Sequence, residues 1–179
     1  MRIWRTGVCN ERGFTLVELA MVILVLGIVT AVTMPRVSGM LDTREMQRAI
    51  NVVRGATRLA QARAALTKRV YRLTFDLEKQ SMSVCYLPDP SNPEECIQET
   101  GRELRPYIFP AVARLLDVIG PTGEKTVTGE ASTHFHPAGL AEPSTIHLGE
   151  PNAPQMTLVI EPLSARIKVL DGYVERQAS

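Results

Sequence analysis

The chain has 179 residues, 45% of them hydrophobic and 22% charged, with a formal net charge of +1. That length leaves room for one ordinary domain beyond an anchor, and a balance so near zero excludes a chain that acts by blanket attraction to nucleic acid. The charge is nevertheless uneven: residues 1–13 carry +2, residues 36–72 carry +7 and residues 73–179 carry −7.

The first element is a nearly unbroken apolar run over residues 14–34, entered through Arg2, Arg5 and Arg12 and closed by Pro35. At about 1.5 Å per residue such a run makes a helix of roughly 31 Å, enough to cross a hydrocarbon core. Basic residues ahead of it predict a cytoplasmic amino terminus and a head on the opposite side, the periplasm of a Gram-negative cell. A secretory signal has a shorter apolar core with its cleavage site after it. A plain single-pass anchor accounts for the length but not for Glu18, a carboxylate whose place in lipid costs a few kcal/mol or more.

The stretch GFTLVEL, the apolar residues that follow it and Pro35 together resemble the amino terminus of type IV prepilins and of the pseudopilins of type II secretion. The resemblance implies cleavage between Gly13 and Phe14 by a prepilin peptidase, with N-methylation of Phe14. It also implies that Glu18 pairs with the amino-terminal charge of a neighbouring subunit, and that Pro35 marks the end of the membrane segment. Further implied partners are other pilin or pseudopilin subunits in a hetero-oligomeric filament and an inner-membrane assembly platform. The implied fold is α+β: one long helix packed on a small antiparallel β-sheet head. The expected organisation is a leader at 1–13, a transmembrane helix at 14–35, a helical stem at 36–69 and a β-rich head at 70–179.

Beyond Pro35 the helical pattern continues. Ile50, Val53, Ala56, Leu59, Ala60, Leu66 and Val70 recur mostly in steps of three or four, with Arg44, Arg48, Asn51, Arg54, Arg58 and Gln61 on much of the opposite side. One helix from about residue 14 to about residue 68 is predicted, loosened or kinked at Pro35 and Gly39. The basic face suits nucleic acid, anionic lipid or the acidic surface of an adjacent subunit; a solvated face is the plain alternative.

At Val70 the period changes to two. VYRLTFDL and QSMSVCYL, separated by Glu78-Lys79, predict a hairpin. Residues 88–101 are proline-rich and acidic, a surface loop. Cys9 leaves with the leader, whereas Cys85 and Cys96 can close this loop at its base. An oxidising compartment favours a disulfide between them, with two free thiols as the alternative.

Pro106, Pro110 and Pro121 divide the middle of the chain. Short strands are predicted near 107–109 and 114–118, or a helical turn at 111–116. Residues 126–135 read as one further strand, after which HPAGLAEPS turns the chain. STIHLGE, QMTLVIEP and ARIKVLDG then predict three strands. FHPAG at 135–139, TIHL and MTLVIEPLSARIKV resemble the carboxyl-terminal signature of the pseudopilin H group, which includes a minor pseudopilin of type II secretion and related minor pilins. Members often place a threonine and a glycine before the arginine, where this chain has Ser164-Ala165-Arg166.

His134 and His136 would share one face of a strand, and His147 could add a third ligand. No Cys pair or H-E-x-x-H accompanies them, and nucleophile-elbow, phosphate-loop and dinucleotide motifs are absent. No catalytic, cofactor or metal site is therefore expected. The expected core is Ile50, Val53, Leu59, Leu66, Phe75, Val84, Phe135, Leu158, Ile160 and Ile167. The function expected is that of a minor pseudopilin in protein export. The alternative is a minor pilin of a type IV pilus, with basic residues at 44–72 or 168–176 touching DNA during uptake.

Overall fold

The computed structural model describes residues 14–90, 92, 95–98, 105–151 and 153–175, without the side chains of residues 32–41. The predicted leader, Gly13 included, lies outside the described residues. The chain divides into two units, Met1–Leu41 and Asp42–Ser179.

Helix α1 covers Leu16–Thr67, and its assignment runs through Pro35 and Gly39. It stops where Lys68 takes a positive φ of 57°, the left-handed turn that commonly ends helices. Within Asp42–Ser179 its apolar stripe meets the core at Ala49, Ile50, Val53, Thr57, Ala60 and Ala64, all essentially inaccessible. Steps of three and four keep these residues on one face. Thr57 is tolerated there because its hydroxyl donates to the Val53 carbonyl at 2.9 Å.

The head contains two antiparallel sheets, not the single sheet expected. The strands are β1 (Val70–Asp76), β2 (Ser81–Leu87), β3 (Tyr107–Ile108), β4 (Arg114–Ile119), β5 (Lys125–Thr126), β6 (Glu130–Phe135), β7 (Ser144–Gly149), β8 (Met156–Ile160) and β9 (Ile167–Asp171). One sheet has the order β3-β2-β1-β6 and the other β5-β4-β7-β8-β9. In the first, Val84, Leu73 and Thr133 stand abreast, as do Met82, Phe75 and Ala131. In the second, Val118, Ile146, Leu158 and Val169 form a corresponding row. These rows and the helix stripe share one hydrophobic core.

The predicted hairpin is present. Asp76 Oδ1 accepts from the amides of Glu78 and Lys79, and Gln80 completes the turn at φ 51°. The expected single strand over 126–135 is instead β5 and β6, in different sheets. Gly129 separates them at φ 79° and accepts the Leu77 amide through its carbonyl, a conformation open to glycine without steric cost. In the middle of the chain both readings are partly realised: a 3₁₀ turn at Ala111–Ala113 leads directly into β4.

Three expected core residues need correction. Leu66 is 80% exposed, and Leu59 is only partly buried against the core. At about 100° per residue, Leu66 lies some 200° around the helix from Ala64 and so points away from the stripe. Ile167 is likewise only partly buried.

Glutamine side chains bind the layers together. The Gln80 amide donates to the Leu115 carbonyl, and its oxygen accepts the Leu115 amide at 2.8 Å, joining the first hairpin to β4. Gln61 on α1 donates to the carbonyls of Gly139 and Ser164. The Cys85–Cys96 disulfide holds the acidic loop against β2, Cα–Cα 5.7 Å, beside the Tyr86–Ile97 bridge.

Candidate functional site

The amino-terminal unit offers apolar surface on every side. Phe14 is 83% exposed, and Leu19, Met21, Ile23, Leu24 and Leu26 all remain more than half exposed. An apolar helix with no covered face is built for surroundings that the chain itself does not supply. Its only described charge is Glu18, in the first turn. The Glu18 amide donates to Thr15 Oγ1 at 3.3 Å, a side-chain cap on an otherwise unsatisfied helix start. Glu18 itself is exposed. Among the described residues no helix is long and apolar enough to cross a membrane. The described side chains of the expected 14–35 span end at Ala31, so Pro35 and the closing turn lie outside them.

The histidines are dispersed. His134 Nδ1 lies 2.7 Å from Glu142 Oε2, His136 is exposed, and His147 is fully buried. Among the described residues no group of ligating side chains could hold a metal ion.

A buried polar cluster surrounds His147, and sequence reasoning missed it. Asp117, His147 and Thr157 sit side by side on β4, β7 and β8. His147 bonds Asp117 through Nδ1 at 2.5 Å and the Val174 carbonyl through Nε2 at 3.1 Å. The Tyr173 ring stacks on the imidazole at 3.9 Å and its hydroxyl donates to Asp117 Oδ2. Thr157 donates to the Gly172 carbonyl and accepts the Val174 amide. Burial raises the Tyr173 phenol above its ordinary value; the hydrogen bond from Lys125 opposes the rise and Asp117 adds to it. Every polar group of this cluster that is named here is partnered, and the cluster fastens the carboxyl-terminal segment to the second sheet. The sequence signal was the polar residue at the middle of each of three apolar strands.

The described fold, a long amino-terminal helix ahead of an antiparallel head, is that of a pilin-like protein. Residues 9–34 match the model of the prokaryotic N-terminal methylation motif, a match that includes Gly13, Phe14 and Glu18. In structure the chain is similar to the minor pseudopilin EpsH from the Type 2 Secretion System of Vibrio cholerae. The TM-score is 0.52 at 13% identity, over 71% of this chain and 97% of that one; at that identity the likeness concerns the fold. No curated protein matches the chain significantly in sequence.

Proposed function

We propose that the chain is a minor pseudopilin, a structural subunit of a type II secretion pseudopilus. The observation that carries this reading is the methylation motif over residues 9–34 leading into a helix whose apolar side chains are exposed on all sides. The precursor sits in the inner membrane with its amino terminus cytoplasmic and its head periplasmic. Prepilin peptidase cuts between Gly13 and Phe14 and methylates the new Phe14 amine. The assembly platform then draws the subunit into a filament, where Glu18 meets the amino-terminal charge of a neighbour. Two lone charges in lipid are expensive, and one shared pair is far less so. The subunit catalyses no reaction itself, and the energy for assembly comes from a partner.

The test is the pair of variants Gly13→Trp and Glu18→Val in a host that assembles the filament. Gly13→Trp is expected to leave uncleaved precursor, seen as a mass that still includes residues 1–13. Glu18→Val is expected to be processed and folded, with incorporation into sheared filaments reduced about tenfold, the order of a typical 1.4 kcal/mol interaction. Normal cleavage of the first variant, or wild-type incorporation of the second, would overturn the assignment.

A further inference from the structure

Beside the stripe that enters the core, the outer part of α1 has a second face, exposed at Arg44, Arg48 and Gly55 and half-buried at Val52, Ala56 and Leu59. Two shallow cavities of about 360 Å³ and 470 Å³ lie along it and share Val52. Together they follow the helix from Thr43 to Leu59, roughly 25 Å at 1.5 Å per residue. Arg44, Arg48 and Val52 stand four residues apart, and the row continues through Gly55 to Leu59. This is the kind of ridge into whose flanking groove another helix packs. At Gly55 an added Cβ would meet nothing within 4 Å, so a partner backbone can come close. Arg105 forms part of the opposite wall.

The charge of this groove selects its occupant. Among the described residues Arg44 and Arg48 make no ion pair, since the pairs present involve Asp76, Asp117 and Glu142. Glu45 is the nearby acid; it and Arg48 both influence the Tyr107 hydroxyl, which burial chiefly holds above its ordinary value. A second copy of this chain offers no acidic helix: over Asp42–Thr67 its own has five arginines against Asp42 and Glu45. On the helix the upper half of the groove offers Val52, Gly55, Ala56 and Leu59, and Met82 and Val84 line it together with Ser83, Arg105 and Tyr107, so its apolar positions suit a packed side chain.

We propose that the Arg44–Leu59 face docks an acidic amphipathic helix from a different chain and rejects a second copy of this one. The proposal rests on the reading of the chain as a filament subunit and names the chemistry of its neighbour. The partner places carboxylates against Arg44 and Arg48 and small or apolar residues against Gly55 and Leu59. Like charges brought together at such a contact cost several kcal/mol, which makes the contact heterotypic.

The experiment places a photoreactive benzoylphenylalanine at position 55 of the full chain, expressed at native level in its assembling host. Cross-linked peptides are identified by mass spectrometry. The expected product joins position 55 to a helical segment of another chain that contains at least two carboxylates within two turns. R44E/R48E is expected to lower its yield about tenfold, the effect of reversing a charge contact, and reversing the partner's mapped carboxylates to lysine to restore it. A cross-link to another copy of this chain, to nucleic acid or to a non-helical segment would overturn the proposal. So would no cross-link from a subunit that still enters filaments, or an R44E/R48E yield equal to wild type. A chain that is processed but never enters filaments would sink the subunit reading itself, a result visible in the sheared fraction before any cross-link is analysed.

Discussion

The two halves of α1 use similar residues to opposite ends. From Leu16 to Val29 the apolar side chains run all the way around, and Leu19, Val22 and Leu26 are 57%, 49% and 59% exposed. From Ala49 to Ala64 one stripe of apolar residues enters the core, with Val53, Ala60 and Ala64 fully buried and Val52, Ala56 and Leu59 partly buried beside it. The difference lies in what accompanies them. In the second half, charged residues occupy the remaining faces and direct the stripe inward; in the first, Glu18 is the only described charge. One half completes the core of its own chain, and the other leaves its apolar surface for surroundings and partners outside it.

Substitutions in the two halves should therefore break different things. Val53→Asp places a charge without a partner in the core, and the head should lose about 4 kcal/mol or fail to fold, as circular dichroism and urea unfolding would report. A carboxylate at Leu26 should leave head unfolding unchanged and reduce membrane recovery instead. Equal losses of head stability from the two would erase the distinction between the halves.

Within the head, Phe135→Ala should cost about 3–5 kcal/mol by opening a cavity beside Tyr71, its cross-strand partner on β1. Asp117→Leu should cost about 3 kcal/mol, because His147 and the Tyr173 hydroxyl lose their shared acceptor in a buried site. Carboxypeptidase digestion should then reach the released terminal segment faster. Ala165 has φ 48° and is buried, at the position where the resembling group often has glycine. Ala165→Gly should raise stability by about 1 kcal/mol in thermal unfolding by relieving the left-handed strain.

The smallest effect concerns pH. The side-chain hydrogen bond from Lys79, followed by the backbone amides of the turn, holds the Asp76 carboxyl below its ordinary 3.8. A carboxyl lowered on folding stabilises the native state above its unfolded value, and this contribution fades as pH falls through the folded one. Asp76→Asn should remove that part of the acid dependence and leave the stability near neutral pH only slightly reduced. Leu66→Ala, on the far side of the helix, should change stability by less than about 0.5 kcal/mol.

Much of this was legible in the chain alone. The length of the apolar run, the placed Glu18, the change of period at Val70 and the Pro- and Gly-marked turns are local signals, and local physics is enough to read them. The helix end, the first hairpin and the last three strands followed directly. Tertiary structure decided the remainder, because it depends on which surfaces meet. It divided the strands between two sheets at Gly129 and admitted alanines and Thr57 to the core in place of Leu59 and Leu66. It also gathered Asp117, His147, Thr157 and Tyr173 from four segments into one buried cluster. A sequence shows the periodicity of a single element, whereas the choice of partner across a core is made by packing at close range between residues far apart along the chain.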